Sequence, residues 1–209
     1  MNKSPYSASF TAGSLLYKET TALLPLLLSD DAELLIKEEI KQNNILKINS
    51  ETSRKRTISE IIKRISFTDK SFWSFYSSRS ESEQKLLLFY LCMKVYKLMF
   101  DFHFNVTVPQ WKSSVQEVDS YLYQMELNNI SSKDEFVDSW KEVSQKKTIS
   151  VYKKILKDVH LLDADGVTLK SIIAKDDFFQ WFIKNQERWF LDACLLSATR
   201  KEYLMEGLS

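Results

Sequence analysis

The sequence predicts an all-α protein, a globular multi-helix bundle. Only three glycines and three prolines occur in 209 residues, which is too few for a turn-rich β protein. Runs rich in Leu, Ile, Lys and Glu recur at helical spacing between short polar links. Apolar residues make up 44% of the chain and charged residues 27%, so we expect a soluble protein with one sizeable core or two small ones.

The N-terminal region, residues 1–66, is predicted to hold three helices. The first covers residues 9–28 and bends or stops near Pro25, and the second ends at Asn43, whose short amide tolerates a left-handed backbone. The third covers residues 52–65, where isoleucines at 58, 61, 62 and 65 follow the spacing of one helical face. The second and third helices have the order of a helix-turn-helix.

A central helical core is predicted over residues 67–130. A short aromatic helix follows Asp69, and Ser80 with Glu83 forms a capping box before a long helix that reaches about residue 102. This long helix is apolar on most sides, so we expect it to lie in the centre of the core. A further helix is predicted over residues 111–127.

The C-terminal region, residues 131–209, has the element order of a winged helix-turn-helix. A helix beginning near Glu135 leads through a tight turn into an amphipathic basic helix over residues 145–159. Asp165-Gly166 lies between short apolar flanks, which predicts a short β-hairpin as the wing. In such a unit the second helix enters the major groove of DNA. A closing helical segment rich in aromatic residues follows from residue 176 to about residue 204.

The basic helix carries a stripe of lysines. Residues 145–157 contain five lysines and no acid, and on a helix they fall within an arc of about 120° opposite an apolar side. The chain as a whole is nearly neutral, with 29 basic and 28 acidic residues, so this positive face is local. Unpaired lysines repel one another unless something anionic approaches, which favours nucleic acid as the partner. The candidate DNA contacts are Gln145, Lys146, Lys147, Thr148, Ser150, Lys153, Lys154 and Lys157.

A second basic face is predicted on the helix over residues 52–65. Its polar side lies opposite the isoleucines and combines cationic with hydroxyl side chains. Glu60 lies four residues from both Arg56 and Arg64, so ordinary intrahelical ion pairs are an alternative explanation of these charges. The candidate DNA contacts here are Ser53, Arg54, Lys55, Arg56, Thr57, Lys63 and Arg64.

The sequence gives little support to catalysis, cofactor binding or membrane insertion. His103 and His160 lack the spacing of metal ligands, and the three glycines are too scattered for a phosphate-binding loop. We therefore expect no enzymatic activity, no cofactor and no metal. The apolar runs fall short of the roughly 20 residues of a spanning helix, and the N-terminus does not resemble a secretion signal. A cytoplasmic protein without membrane contact is expected.

Several short motifs resemble the BrxA family of the BREX (bacteriophage exclusion) phage-defence systems. They are the opening YSASFTAGSLL of residues 6–16 followed by Glu19, Asn44-Ile45-Leu46, Asp101-Phe102, and Trp140 leading to Thr148. The resemblance implies a non-enzymatic accessory protein that binds double-stranded DNA and works beside the system's methyltransferase and other components. It places the DNA-facing helices at residues 52–65 and 145–159. In one departure, His160 lies where winged helices often have a glycine after the recognition helix, which requires a left-handed histidine.

Two other functions remain open from the sequence. The basic faces could bind acidic surfaces of a partner protein in a defence complex, which would make the protein an assembly adaptor. They could also serve an RNA-binding or transcription-regulating module. Lysine lacks the bidentate fork of arginine, so for DNA the lysine stripe favours affinity with modest sequence selectivity.

Overall fold

The computed structural model describes residues 4–207, and its helices confirm the predicted all-α class. The chain divides into two compact units. One unit comprises Ala12–Val95, and the other comprises Met1–Thr11 together with Tyr96–Ser209. The division into residues 1–66, 67–130 and 131–209 rests on sequence pattern and stays a prediction.

The Ala12–Val95 unit is built around the apolar sides of three helices. Its helices are α1 (Tyr17–Leu27), α2 (Ala32–Gln42), α3 (Glu51–Ile65), α4 (Lys70–Ser77) and α5 (Glu81–Val95). Leu16, Leu23, Ile36, Ile58 and Ile61 form its buried cluster. The isoleucine spacing predicted this helix and the burial of Ile58 and Ile61, but Ile62 is 41% exposed and Ile65 is half-buried, so the buried face is narrower than predicted. Pro25 lies inside α1, which ends only two residues later.

The turn between α2 and α3 is held by a buried carboxylate. Asn43 adopts the predicted left-handed conformation at the end of α2, with φ of 55°. Glu39 then accepts hydrogen bonds from the next three backbone N–H groups, those of Asn44, Ile45 and Leu46, at 2.9–3.0 Å. The carboxylate thus pairs three backbone donors of the turn and holds the chain where it leaves α2.

The helix α5 is the predicted core helix, with different limits. Ser80 accepts from the backbone N–H of Glu83, and Glu83 accepts from that of Ser80, which confirms the capping box. Every residue from 86 to 93 is buried. The predicted extension to residue 102 is wrong, since the helix ends at Val95 and Tyr96 takes an extended conformation.

The second unit contains many short helices. A short 3-10 turn, Ser9–Ala12, lies at the start of the chain, and a π-helical turn, His103–Thr107, joins the first two α-helices. The α-helices are α6 (Lys97–Phe102), α7 (Val108–Lys112), α8 (Ser120–Ser131), α9 (Glu135–Asp138), α10 (Glu142–Asp158), α11 (Asp176–Lys184), α12 (Trp189–Ala193) and α13 (Ala198–Glu206).

Two helices predicted as continuous are interrupted. The helix expected over residues 111–127 stops at Lys112 and resumes only at Ser120, where Asp119 caps α8 by accepting from the N–H of Leu122 at 3.0 Å. The closing helical segment is broken at Gln186 and Leu195, whose φ values are 62° and 56°. These residues turn the chain left-handed without glycine, so composition gives no signal for the breaks.

The predicted two-stranded wing is wrong in this form. Leu162 and Leu169 form a single antiparallel bridge around the turn at Gly166, and no strand forms within residues 4–207. The segments on the two sides of this turn are also joined by hydrogen bonds from Asp163 N–H to Thr168 at 2.9 Å and from Lys170 N–H to Leu161 at 3.0 Å. A second segment bonds to the same stretch: Val118 N–H donates to Val167 at 2.9 Å, and Leu169 N–H donates to Gln116 at 3.0 Å. Residues 163–168 therefore form a tight loop and no β-ribbon.

A buried chain of polar side chains fixes α10 against its neighbours. His103 lies 2.9 Å from the carbonyl oxygen of Ala193 through Nε2, which must donate, so the neutral ring accepts from the Tyr152 hydroxyl at Nδ1, 2.7 Å away. Thr107 lies 3.0 Å from Tyr152 and 2.9 Å from Tyr123. The chain thus joins α8, α10 and α12 inside the core.

None of the helices formed by residues 4–207 combines the length and the apolar character that a bilayer crossing requires.

Candidate nucleic-acid interface

The basic helix α10 has one buried side and one cationic side, as predicted. Ile149, Tyr152, Ile155 and Leu156 are buried, whereas Lys146, Lys147, Ser150, Lys154 and Lys157 are exposed. Lys153 is half-buried at the edge of this surface. His160 has the left-handed backbone that the missing glycine requires, with φ of 62°.

The lysine side of α10 lines an open groove of about 900 Å³. Three elements form the groove: the first turns of α8, the exposed side of α10, and the loop around Gly166. It is lined by Ser120, Tyr121, Gln124, Lys146, Ile149, Ser150, Lys153, Lys154, Lys157, Asp165, Gly166 and Val167. Four of the five predicted lysines are therefore brought together, while Lys147 lies outside this lining.

The lysines have more partners than the sequence window predicted. Lys146 pairs with Glu142 at 2.5 Å, and Lys154 pairs with Asp158 at 2.7 Å, both one turn away. These acids lie just outside residues 145–157, so the expectation of an uncompensated stripe is wrong for two of the lysines. Exposed pairs of this kind are weak and exchange readily for another anion.

The walls of the groove lie within reach of the lysine ammonium groups. Lys153 Nζ lies 3.5 Å from Ser120 Oγ on α8, and Lys157 Nζ donates to the carbonyl oxygen of Ala164 at 3.0 Å. Burial lowers the pKa of Lys153, and the positive charge of Lys157 lowers it further, while Asp119 opposes both. A bound phosphate would favour the charged form of this lysine.

The loop that forms one wall carries a persistent negative charge. Asp165 accepts from the Thr168 hydroxyl and from the backbone N–H groups of Val167 and Thr168, and these bonds lower its pKa to about 2. Gly166 has φ of 76°, and a side chain there would meet Lys157 Nζ at 2.9 Å. The turn therefore favours glycine at this position, and a side chain would displace the flexible end of Lys157.

Two of the polar α10 residues are used inside the protein. Thr148 is completely buried and donates to the carbonyl oxygen of Ser144 at 2.8 Å. Gln145 is half-buried, accepts from Gln124 at 3.0 Å and donates to the carbonyl oxygen of Trp140 at 3.2 Å. The prediction that Thr148 contacts DNA does not fit this burial, so it is left out below.

The second basic helix, α3, is divided between interior and surface. Arg64 is 2% exposed and donates to the carbonyl oxygens of Leu15 and Ser14, each at 2.8 Å. Arg54 is 5% exposed and donates to the carbonyl oxygens of three residues in and before the α2–α3 turn, Ile40, Ile48 and Asn49. Neither guanidinium is available to DNA, so the prediction is corrected for both arginines.

The other α3 candidates remain at the surface. Ser53, Lys55, Arg56 and Lys63 are exposed, Thr57 is half-buried, and Lys55 pairs with Glu51 at 2.6 Å. A small cleft of about 130 Å³ lies along this side. It is lined by Ala12, Gly13, Leu16, Ser53, Arg56, Thr57 and Glu60. This lining has one arginine and one glutamate, so it is less cationic than the groove on α10, whose lining has four lysines and one aspartate.

Sequence reasoning missed the α8 wall of the groove. Ser120, Tyr121 and Gln124 belong to a segment that carries no basic run, and the predicted helix over residues 111–127 gave no reason to place them beside α10. The Gln124–Gln145 hydrogen bond shows that the two helices meet there. Only the packing of α8 against α10 brings Tyr121 to the lysines.

The fold and the groove define an all-helical protein that presents a lysine-lined cleft to solvent. The sequence pattern of the BrxA family matches residues 4–186, and the chain belongs to that family. A relative in Escherichia coli O9:H4 (strain HS), a BREX protein BrxA, is 32% identical over 101 residues. That alignment covers 48% of this chain and 47% of the relative, so the chain spans about half the length of the curated relative it matches.

A solved structure shares the fold. The crystal structure of an uncharacterized protein from Magnetospirillum magneticum superposes with a TM-score of 0.75 over 92% of this chain and 98% of that chain. The two sequences are 21% identical, so this likeness concerns the fold alone.

Proposed function

We propose that this protein is a non-enzymatic, double-stranded-DNA-binding accessory component of a BREX phage-defence system. The observation that carries DNA binding is the gathering of Lys146, Lys153, Lys154 and Lys157 in one solvent-open groove. Membership of the BrxA family carries the link to phage defence, and it makes other BREX components, including the methyltransferase, candidate partners.

The groove residues divide into phosphate-binding and hydrogen-bonding groups. The four groove lysines and the neighbouring Lys147 would bind phosphate oxygens as point charges. Ser150 is exposed in the same groove, and the half-buried Gln145 is hydrogen-bonded to the lining residue Gln124, so these two residues would make the uncharged contacts. Such a surface favours affinity over base selectivity, because it offers lysines and no arginine fork.

A second contact surface is proposed on α3. It comprises Ser53, Lys55, Arg56, Thr57 and Lys63, which leaves out the buried Arg54 and Arg64. The pairs α2–α3 and α9–α10 would be the two helix-turn-helix elements. The tight loop of residues 163–168 takes the place that a wing would have after the second one. Each surface is proposed separately.

Salt dependence distinguishes this function from specific protein binding. If about four phosphates are neutralised in the groove, affinity should fall by about a hundredfold between 50 and 200 mM salt. Fluorescence anisotropy of a labelled 25-bp duplex would measure this fall. An adaptor that recognises a protein surface would show no duplex binding at either salt concentration.

The direct test reverses two groove charges. The double variant Lys153→Glu, Lys154→Glu should lower duplex affinity by at least about tenfold and flatten the salt dependence by about two phosphate contacts. Lys175→Glu, Lys184→Glu is the matched control, because it changes the net charge equally and both lysines are exposed and do not line the groove. Equal affinities for wild type and the double variant would refute DNA binding at this site and favour the adaptor.

A further inference from the structure

We propose that the groove on α10 holds a single DNA strand, with a base stacked on Tyr121, so that DNA with an unpaired stretch binds more tightly than continuous duplex. This inference rests on the proposed function, in which the lysines bind DNA. It adds to that function the form of DNA that the groove prefers, an unpaired strand, and names Tyr121 as the residue responsible for the preference.

The first argument is the concave shape of the lysine surface. A helix with its side chains is about 10–12 Å across and the major groove of B-DNA is about 12 Å wide, so a reading helix has to stand clear of its neighbours. The lysine side of α10 instead forms part of a groove, with Ser120 and Tyr121 among its lining on α8 and residues 165–167 in the loop. Lys153 and Lys157 reach toward these walls. A surface of this shape fits one sugar-phosphate backbone better than a duplex.

The second argument is the chemistry of the lining. Tyr121 is 66% exposed and lines the groove beside the lysines, and Val167 adds apolar surface to the same lining. A cationic track with an accessible aromatic ring is the combination by which proteins bind unpaired strands, since phosphates meet the cations and bases stack on the ring. In a continuous duplex the bases are stacked on one another and cannot cover Tyr121.

The third argument is the negative charge in the same groove. Asp165 lines it and is held in a fixed orientation by three hydrogen bonds. One phosphate backbone can follow the lysines of α10, but a second backbone brought close to the loop would meet this carboxylate. The charge distribution therefore favours one strand over two.

The test compares two probes that differ only in strand continuity. The probes are a labelled 30-bp duplex and the same duplex with a four-nucleotide gap in one strand, titrated at fixed salt by anisotropy. Base stacking on an aromatic ring changes affinity by about fivefold to a hundredfold. Wild type should bind the gapped probe at least about fivefold more tightly. Equal affinity for the two probes would overturn the inference.

Variants at Tyr121 assign the preference to the ring. Tyr121→Ala should abolish the preference for the gapped probe, and Tyr121→Phe should keep it, because the ring and not the hydroxyl stacks. Met125→Ala is the matched control, since Met125 lies one turn further along α8, is 52% exposed and is not part of the lining. A preference that survives Tyr121→Ala would overturn the role of this residue. Thermal unfolding of each variant confirms that it is folded.

The lysine variant separates this inference from the function on which it rests. If Lys153→Glu, Lys154→Glu weakens binding of both probes but wild type does not prefer the gap, the groove binds DNA and the single-strand inference fails. If the lysine variant binds both probes as wild type does, the proposed function fails as well. An RNA strand of the same sequence completes the series, and tighter binding of RNA than of DNA in the gap would overturn the assignment to DNA.

Discussion

The two basic helices, α3 and α10, use their charges in opposite ways. On α3 the two innermost cations are arginines that donate to carbonyl oxygens of neighbouring turns and are almost completely buried. On α10 the cations are lysines, and most of their ammonium groups are at the surface. The two helices therefore have similar helical wheels but use their cations differently. The buried arginines of α3 have a structural role, and the lysines of α10 line a solvent-facing groove.

The chemistry of the two side chains explains this division. Guanidinium is planar, presents five donors and is weakly hydrated, so it can satisfy several carbonyl groups inside a protein. Ammonium is compact and strongly hydrated, so a lysine keeps its charge in water and buries only its methylene stem. An arginine at the inward-facing flank of a helix should therefore first be interpreted as a buried donor to backbone carbonyl groups, and only then as a DNA contact.

The largest effect is expected from removing the inner arginine. Arg64→Ala leaves the carbonyl groups of Ser14 and Leu15 without these donors and opens space in the interior, so the free energy of unfolding should fall by about 3 kcal/mol. Urea denaturation measures the change. Arg56→Ala, on the exposed side of the same helix, is the control and should leave stability almost unchanged. Similar losses of stability in the two variants would contradict the distinction between the buried Arg64 and the exposed Arg56.

The second prediction concerns pH, because a titratable group holds α10. Burial lowers the pKa of His103 from 6.5 to about 4, so the ring stays neutral in the folded protein while the unfolded chain takes up a proton below pH 6.5. Stability present above pH 6.5 should therefore be lost as pH falls toward 4, by about 3 kcal/mol in total. Urea denaturation at several pH values checks this, with His103→Gln as the variant that should lack this part of the slope.

An arginine keeps its charge over the same pH range, so the hydrogen bonds donated by Arg54 and Arg64 of α3 should not weaken when His103 is protonated. Hydrogen exchange resolved along the chain would separate the two helices at pH 5. We expect faster exchange in α10 than at pH 7, after correction for the intrinsic rate, and little change in α3. The opposite order would contradict the assignment of His103 as the titrating group.

The smallest effect is expected from the acid that pairs with Lys146. Glu142 and Lys146 are both exposed, so Glu142→Gln should leave the urea midpoint unchanged within error. Freed from its partner, Lys146 should bind phosphate slightly better, and duplex affinity at low salt should rise by less than about threefold. A clear loss of stability would show that the pair is structural, as the arginines of α3 are.

Local periodicity predicted what lies within single helices. Four such features depend on residues within a few positions of one another: the buried Ile58 and Ile61 of α3, the two-sided character of α10, the Ser80–Glu83 capping box and the left-handed Asn43. Such features are dictated by the 3.6-residue repeat and by short-range hydrogen bonds, and a sequence displays them directly.

Features that depend on distant segments were not predictable in this way. Arg64 is buried because carbonyl groups about 50 positions earlier face it, and nothing in α3 itself indicates them. The predicted wing is reduced to a bridge between Leu162 and Leu169, and residues 167–169 also bond to residues 116–118, which are distant in the sequence. Tyr121 lines the groove because α7 ends at Lys112 and a separate helix, α8, begins at Ser120 and contacts α10.

The protein could be made more stable at its left-handed turns, because most of them are formed by residues other than glycine. Within residues 4–207, eight residues other than glycine have φ between 52° and 62°, among them Lys47, Gln116, His160, Gln186 and Leu195. A side chain in this conformation costs roughly 1 kcal/mol that glycine would not. Glycine substitution at Lys47 or Gln186, neither of which lines the lysine groove, should raise the melting temperature. These substitutions would give a more stable protein for structural studies without changing a residue proposed to contact DNA.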